Sequence, residues 1–138
     1  VLMMQREVAK RLTAGPDTKD YGILAIQTQV HTNPKILFNV PPTAFFPKPN
    51  VHSSIVRLEF RKDISDISNR YLFKEIVRES FGQRRKTMRN SLRKFFERNF
   101  IDTAEIDFEL SRRPENVTIP EFKKLTNEID YLIRIKKA

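Results

Sequence analysis

The spacing of apolar residues changes period once along this chain, near residue 63, and that change restricts the folds open to it. Ahead of it, His52–Phe60 reads "HSSIVRLEF", with Val56, Leu58 and Phe60 on one parity and Ile55 with Arg57 on the other. Alternation of this kind is the signature of a strand with one face buried. Beyond residue 63, Phe73, Ile76, Val77 and Phe81 recur at three and four, as do Met88, Leu92, Phe95 and Phe96. Phe122, Leu125, Ile129, Leu132 and Ile133 then give a last segment a wide apolar stripe. Those spacings put each set on one side of a helix. The 138 residues are therefore expected to form mixed α/β structure over 1–63 and an all-α, four-helix unit over 64–138.

The first part divides further. Val1–Met4 is a short apolar run that reads as a buried parallel strand. Such a strand needs neighbours on both sides, so the start reads as a cut through a larger protein; a loose native end is the alternative. Gln5–Ala14 is predicted to be a helix with Val8, Ala9 and Leu12 on one face, ended by Gly15 and Pro16. Ile23–Val30, "ILAIQTQV", alternates and predicts a strand with Leu24, Ile26, Thr28 and Val30 on one face. His31–Lys35 is expected to turn, and Ile36–Val40 to be extended again. Pro41 and Pro42 then forbid a regular element. In the second part, "DTAE" at 102–105 and "TIPE" at 118–121 both fit a capping box.

Composition excludes several functions. The chain has no cysteine, which removes disulfides and thiolate metal sites. Its only histidines, His31 and His52, are too few and too far apart for a zinc site. No apolar run approaches the ~18 residues of a membrane span. The glycines are Gly15, Gly22 and Gly82, so no Gly-x-Gly phosphate or nucleoside loop exists. Ser53 and Ser54 lack a placed histidine base, and Asp102 with Glu105 reads as a cap. "NVPP" at 39–42 echoes the Asn-Pro-Pro-Tyr motif of amino-methyltransferases only superficially, because Thr43 follows where an aromatic is required. Nothing here assembles a self-sufficient active site.

The net charge of +9 instead points to an anionic partner, with nucleic acid ahead of membrane. "GQRRKTMRNSLRKFFER", residues 82–98, holds seven Lys/Arg against one acid, five of them arginine. On a continuous helix Arg85, Arg89 and Arg93 fall four apart, flanked by Arg84 and Lys86, opposite the apolar stripe. A solvated charged face would ordinarily mix signs, because like charges at that spacing cost stability. Forked guanidinium groups in a row suit a phosphate backbone. The second feature is Phe45–Phe46, set between Pro41–Pro42 and Pro47-Lys48-Pro49. Four prolines in nine residues fix the backbone, so a ring held there loses little entropy on stacking against a base. The rings could instead plug a core beneath the loop, which is the better reading for a single Phe; adjacent rings in an extended segment tend to diverge, so one can be core while the other is exposed.

Three stretches, in order, resemble one family. "MMQREVAKRLTAGPDTKDYGILAIQTQ", "VPPTAFFPKPNVHSSIVRLEF" and "FGQRRKTMRNSL" are similar to successive segments of the KsgA-type rRNA adenine dimethyltransferases. The related Erm methyltransferases share something like "FxPKPxVxSS", whereas Gln83-Arg84-Arg85-Lys86-Thr87 points to the KsgA branch. The resemblance implies the C-terminal end of a Rossmann-like methyltransferase sheet over 1–63 followed by a small helical, rRNA-contacting domain over 64–138. Val1–Met4 would be the fifth strand, and the stretches around Ile23–Val40 and His52–Phe60 the terminal antiparallel pair. It further implies a cytoplasmic enzyme that uses S-adenosylmethionine to dimethylate two adjacent adenosines in a hairpin loop of small-subunit (16S) rRNA. Its partner would be that rRNA within a 30S assembly intermediate, and the family also serves as an assembly checkpoint. Phe45 matches the family's ring that stacks on the flipped adenine; Phe46 and Lys48 match variable positions. The cofactor's glycine-rich motif, its ribose-binding acid and the Asn-x-Pro-Tyr/Phe loop are expected upstream of this chain, which alone is expected to be inactive. A non-enzymatic RNA-binding or assembly module, and an Erm-like enzyme acting on large-subunit rRNA, are the alternatives.

Overall fold

The computed structural model describes residues 1–83 and 85–137. Backbone packing divides the chain into two units, Val1–Lys62 and Asp63–Ala138. Among the described residues no helix is long and apolar enough to cross a membrane.

The first unit is a three-stranded antiparallel sheet in the order β1-β3-β2, with two helices. Strand β1 is Leu2–Gln5, β2 is Thr32–Val40 and β3 is Ser53–Phe60. Helices α1 (Arg6–Leu12) and α2 (Ile23–His31) pack on each other and against the strands. Val56, at the centre of β3, lies opposite Leu2 of β1 and Ile36 of β2. Directly paired residues share a face, so this row faces the helices, and Val56 and Ser54 are fully buried there. The other face carries Met3, Ile55 and Phe38 in register; Met3 and Phe38 remain 56% and 58% exposed. A register shift between Ile36 and Phe38 is the bulge that lets β2 follow the twist of the central strand.

Three expectations are corrected in this unit. Val1–Met4 does not form a buried parallel strand: β1 runs antiparallel to β3 and leaves Leu2 and Met3 exposed. An apolar run alone does not encode strand direction. Ile23–Val30 is a helix, not a strand, despite its β-branched content. Ile26 and Val30, four apart, are buried together with Ala25. Gln29 turns inward, its amide donating to the carbonyls of Leu12 (3.0 Å) and Ala14 (2.8 Å). Those contacts satisfy carbonyls at the end of α1, and tertiary packing overrides a weak local propensity. Thr32–Lys35 is not a turn but the first half of β2, with Pro34 opposite Leu58. Among the described residues strand β2 has a neighbour on one side only, which is where a proline lacking its N–H is tolerated.

The second unit contains α3 (Arg70–Ser80), α4 (Met88–Ser91), α5 (Arg93–Arg98) and α6 (Ile119–Lys137). Asn69 caps α3, its side chain accepting from the Leu72 amide at 3.1 Å. Phe73, Ile76 and Val77 of α3 are buried, as are Phe122, Leu125 and Ile129 of α6. The box at 118–121 closes in both directions: the Thr118 amide donates to Glu121 at 3.0 Å, and the Glu121 amide to Thr118 Oγ1 at 3.2 Å. Arg112 adds a bridge to Glu121, and chiefly through that bond the Glu121 carboxyl is lowered to a pKa of about 2. At 102–105 only half of the box forms. Asp102 accepts from the Ala104 amide at 3.0 Å and caps a single 3-10 turn, Thr103–Glu105, rather than a helix.

Candidate nucleic-acid interface

The continuous cationic helix expected over 82–98 is broken into pieces. Arg85 adopts a left-handed backbone, φ 62°, in the turn before α4. Thr87 then caps α4, its hydroxyl accepting from the Asn90 amide at 3.3 Å. Leu92, at φ −93° and ψ 1°, separates α4 from α5. The reason lies outside the helix: the amides of Met88 and Arg89 donate to the carbonyls of Arg112 (2.8 Å) and Leu110 (2.9 Å). That lateral anchoring fixes where α4 starts and satisfies its first donors. The apolar stripe survives the break, since Met88, Leu92, Phe95 and Phe96 are all buried.

The cations therefore do not form one helical line. Arg85 and Lys86 sit in the turn, Arg89 on α4 and Arg93 at the first position of α5, and all four are exposed. Arg84 lies outside the described residues. Arg89 donates to Thr103 Oγ1 at 3.3 Å. It flanks, with Arg93, a cavity of about 330 Å³ whose floor is Phe96 and Ile101, with Glu97 and Asp102 at its margin. Arg85, Lys86 and Arg93 have no carboxylate partner among the described residues. Arg98 behaves differently. It bridges Glu75 (3.0 Å) and Glu79 (3.1 Å) and lies over the Phe95 ring, and those bonds, Glu79 first, hold its protonated form. One arginine of the run is thus a structural tie, while Arg85, Arg89 and Arg93 remain exposed.

In the first unit, Pro42–Ala44 makes one 3-10 turn, closed by the amides of Ala44 on Pro41 (3.1 Å) and Phe45 on Pro42 (3.2 Å). The chain leaves that turn extended through Phe45. The two rings do diverge: Phe45 is half-buried, and Phe46 is fully exposed at 102%. Sequence reasoning left Phe46 unassigned, and only its complete exposure marks it as a second surface aromatic. Phe60, at the far end of β3, is another ring left 74% exposed, hidden in the sequence by its place in an alternating strand. No group of three or more His, Asp or Glu side chains among the described residues could hold a metal.

A family model described as ribosomal RNA adenine dimethylase matches residues 1–131. The ribosomal RNA small subunit methyltransferase A of Alkaliphilus oremlandii is 41% identical over 140 residues, covering 93% of this chain and 47% of that protein. The chain thus spans about half the length of the curated relatives it matches. In the crystal structure of a dimethyladenosine transferase from Plasmodium falciparum, the fold superposes with a TM-score of 0.76 at 21% identity, over 96% of this chain and 58% of that one. The 23S rRNA methyltransferase ErmE matches with a TM-score of 0.59 at 19% identity, over 93% of this chain and 53% of its own. That likeness gives the fold, the end of a Rossmann-like sheet followed by helices, and with the family model running through the strands, the proline loop and the basic turns alike, the chain belongs to the ribosomal RNA adenine dimethylase family.

Proposed function

We propose that this chain is the C-terminal portion of a small-subunit rRNA adenine dimethyltransferase. In the intact protein, methyl groups from S-adenosylmethionine would pass to two adjacent adenosines in a hairpin loop of a 30S assembly intermediate. The observation that carries this reading is that one family's pattern runs through both units, over residues 1–131. Residues 1–63 would then be the end of the methyltransferase domain, and 64–138 a helical domain that contacts rRNA.

This chain's own part is to hold RNA. Phe45, projecting from a backbone fixed by prolines, would stack on the target adenine once it has left its helix, where an extruded base needs an aromatic wall. Arg84, Arg85, Lys86, Arg89 and Arg93 would neutralise phosphates; the exposure of the four that are described, and the lack of carboxylates on Arg85, Lys86 and Arg93, support that role. We infer that the cofactor is held by other residues than these. None of the three glycines has a left-handed φ, so the described residues build no tight glycine turn to cradle a nucleoside. We place the cofactor's binding residues in the part of the relatives' length that this chain does not span, and the chain alone is expected to be inactive.

Methyl transfer to small- and large-subunit particles tests the reading, using this chain alone and joined to the remaining half of the Alkaliphilus relative. Transfer to the small subunit is expected from the joined protein only. Phe45→Ala there should lower the rate roughly 5- to 150-fold, as expected for loss of about 1–3 kcal/mol of stacking, with particle binding retained. An unchanged rate removes the stacking role. Transfer to large-subunit particles instead favours an Erm-like enzyme, and binding without any transfer favours a non-enzymatic assembly module.

A further inference from the structure

The first unit holds a second cationic surface, separate from the arginines of the helical unit. Between the start of α1, the loop joining α1 to α2 and the end of the proline loop lies an open cleft of about 430 Å³. Arg6, Lys10, Lys19, Asp20, Val51 and His52 form its walls. Arg6 and Lys10 stand four apart on α1 and leave the helix on one side, while Lys19 comes from the loop after it. The Arg6 amide donates to the His52 carbonyl at 3.0 Å. That bond pins the start of α1 to the last residues of the loop that carries Phe45.

The charge balance of the cleft is uneven. Glu7, also on its wall, is engaged by Arg11 at 3.4 Å. Asp20 remains as the one acid against three cations. Among the described residues Arg6, Lys10 and Lys19 have no carboxylate partner. Like charges gathered at one cavity repel one another, and an anion between them relieves that repulsion. The opening suits a polyanion passing through rather than a small enclosed ligand, which would need deeper burial.

We propose that this cleft takes the phosphodiester backbone of the substrate RNA beside the adenosine presented to Phe45. The identity of the strand rests on the function proposed above, whereas the phosphate contact rests on the cleft itself. Arg6, Lys10 and Lys19 neutralise successive phosphates, and the tie between Arg6 and His52 keeps them in register with the proline loop. The sheet unit thus supplies its own backbone contacts, independent of Arg89 and Arg93.

Fluorescence anisotropy tests this with a labelled hairpin RNA bearing two adjacent adenosines in its loop, titrated with the full 138-residue chain over a salt series. The Lys10→Gln/Lys19→Gln double variant should lower the slope of log affinity against log salt by about 1.4, at roughly 0.7 for each single-stranded phosphate. Lys10→Arg/Lys19→Arg should restore it, and circular dichroism melts should match for all three proteins. Arg89→Gln should lower the slope further when combined with the double variant, because each cation removed leaves one more phosphate with its counterions. An unchanged slope in the Gln variant overturns the cleft, as does failure of the parent chain to bind any RNA. An unrelated single strand bound as tightly, with the same loss of slope, keeps the cleft and removes the small-subunit reading instead.

Discussion

The two units of this protein treat their apolar surface differently. In the helical unit the large side chains of α3, α5 and α6 close on one another, and Phe73, Phe95 and Phe122 are almost wholly buried. In the sheet unit one face is covered by α1 and α2, while Met3 and Phe38 on the other remain more than half exposed. A helix hides a stripe by meeting another helix, which neighbouring segments of the same chain supply. A sheet has two faces, and two short helices cover one of them. The helical unit is therefore built around a filled centre, whereas the sheet unit depends on a single row around Val56.

That contrast can be broken most directly in the larger core. Phe122→Ala should cost about 3–5 kcal/mol, the usual loss for a buried ring replaced by a cavity. Phe38→Ala should stay within about 0.5 kcal/mol, as for an exposed site, and denaturant unfolding of each variant reads the difference. Equal effects would mean that the open face of the sheet is covered in solution.

Within the sheet unit, Ile26→Ala should cost about 2–5 kcal/mol as a buried isoleucine, while Leu24→Ala, at a position 43% exposed, should cost far less. A strand would place both side chains on one face and give them similar effects. The pair therefore tests whether α2 is a helix in solution.

A smaller loss than either core variant is expected at the cap of α6. Glu121→Gln should cost about 1 kcal/mol, in the range of a lost cap. Its carboxyl is lowered from 4.5 to about 2 by Arg112, so its stabilisation is fully present above pH 4.5 and is lost as pH falls through 2. Acid titration of stability should be shallower in the variant over that window. Identical pH profiles would show that the bridge between Arg112 and Glu121 does not persist in solution.

The proposed contact residues show how far local pattern reaches. The apolar stripe of Met88, Leu92, Phe95 and Phe96 was legible, and all four are buried. The straight line of Arg85, Arg89 and Arg93 was not, because hydrogen bonds from Met88 and Arg89 to the turn at 110–112 decide where α4 begins. Likewise the divergence of Phe45 and Phe46 follows from an extended backbone, but which ring is the exposed one depends on what the 3-10 turn at Pro42–Ala44 packs against.

By itself the sequence determined the change of period near residue 63, the strand leading to Phe60, the box joining Thr118 to Glu121 and the family to which the chain belongs. Each rests on neighbours within a few residues, or on an ordered set of motifs. Only the tertiary structure decided that β1 runs antiparallel, that "ILAIQTQV" coils into α2, and that the cations of the helical unit scatter over a turn and two short helices. Those outcomes depend on partners far along the chain: β3 for β1, the end of α1 for Gln29, and the carbonyls of Leu110 and Arg112 for α4. Hydrogen-bond donors and acceptors there are satisfied across the fold, and local propensity yields to them.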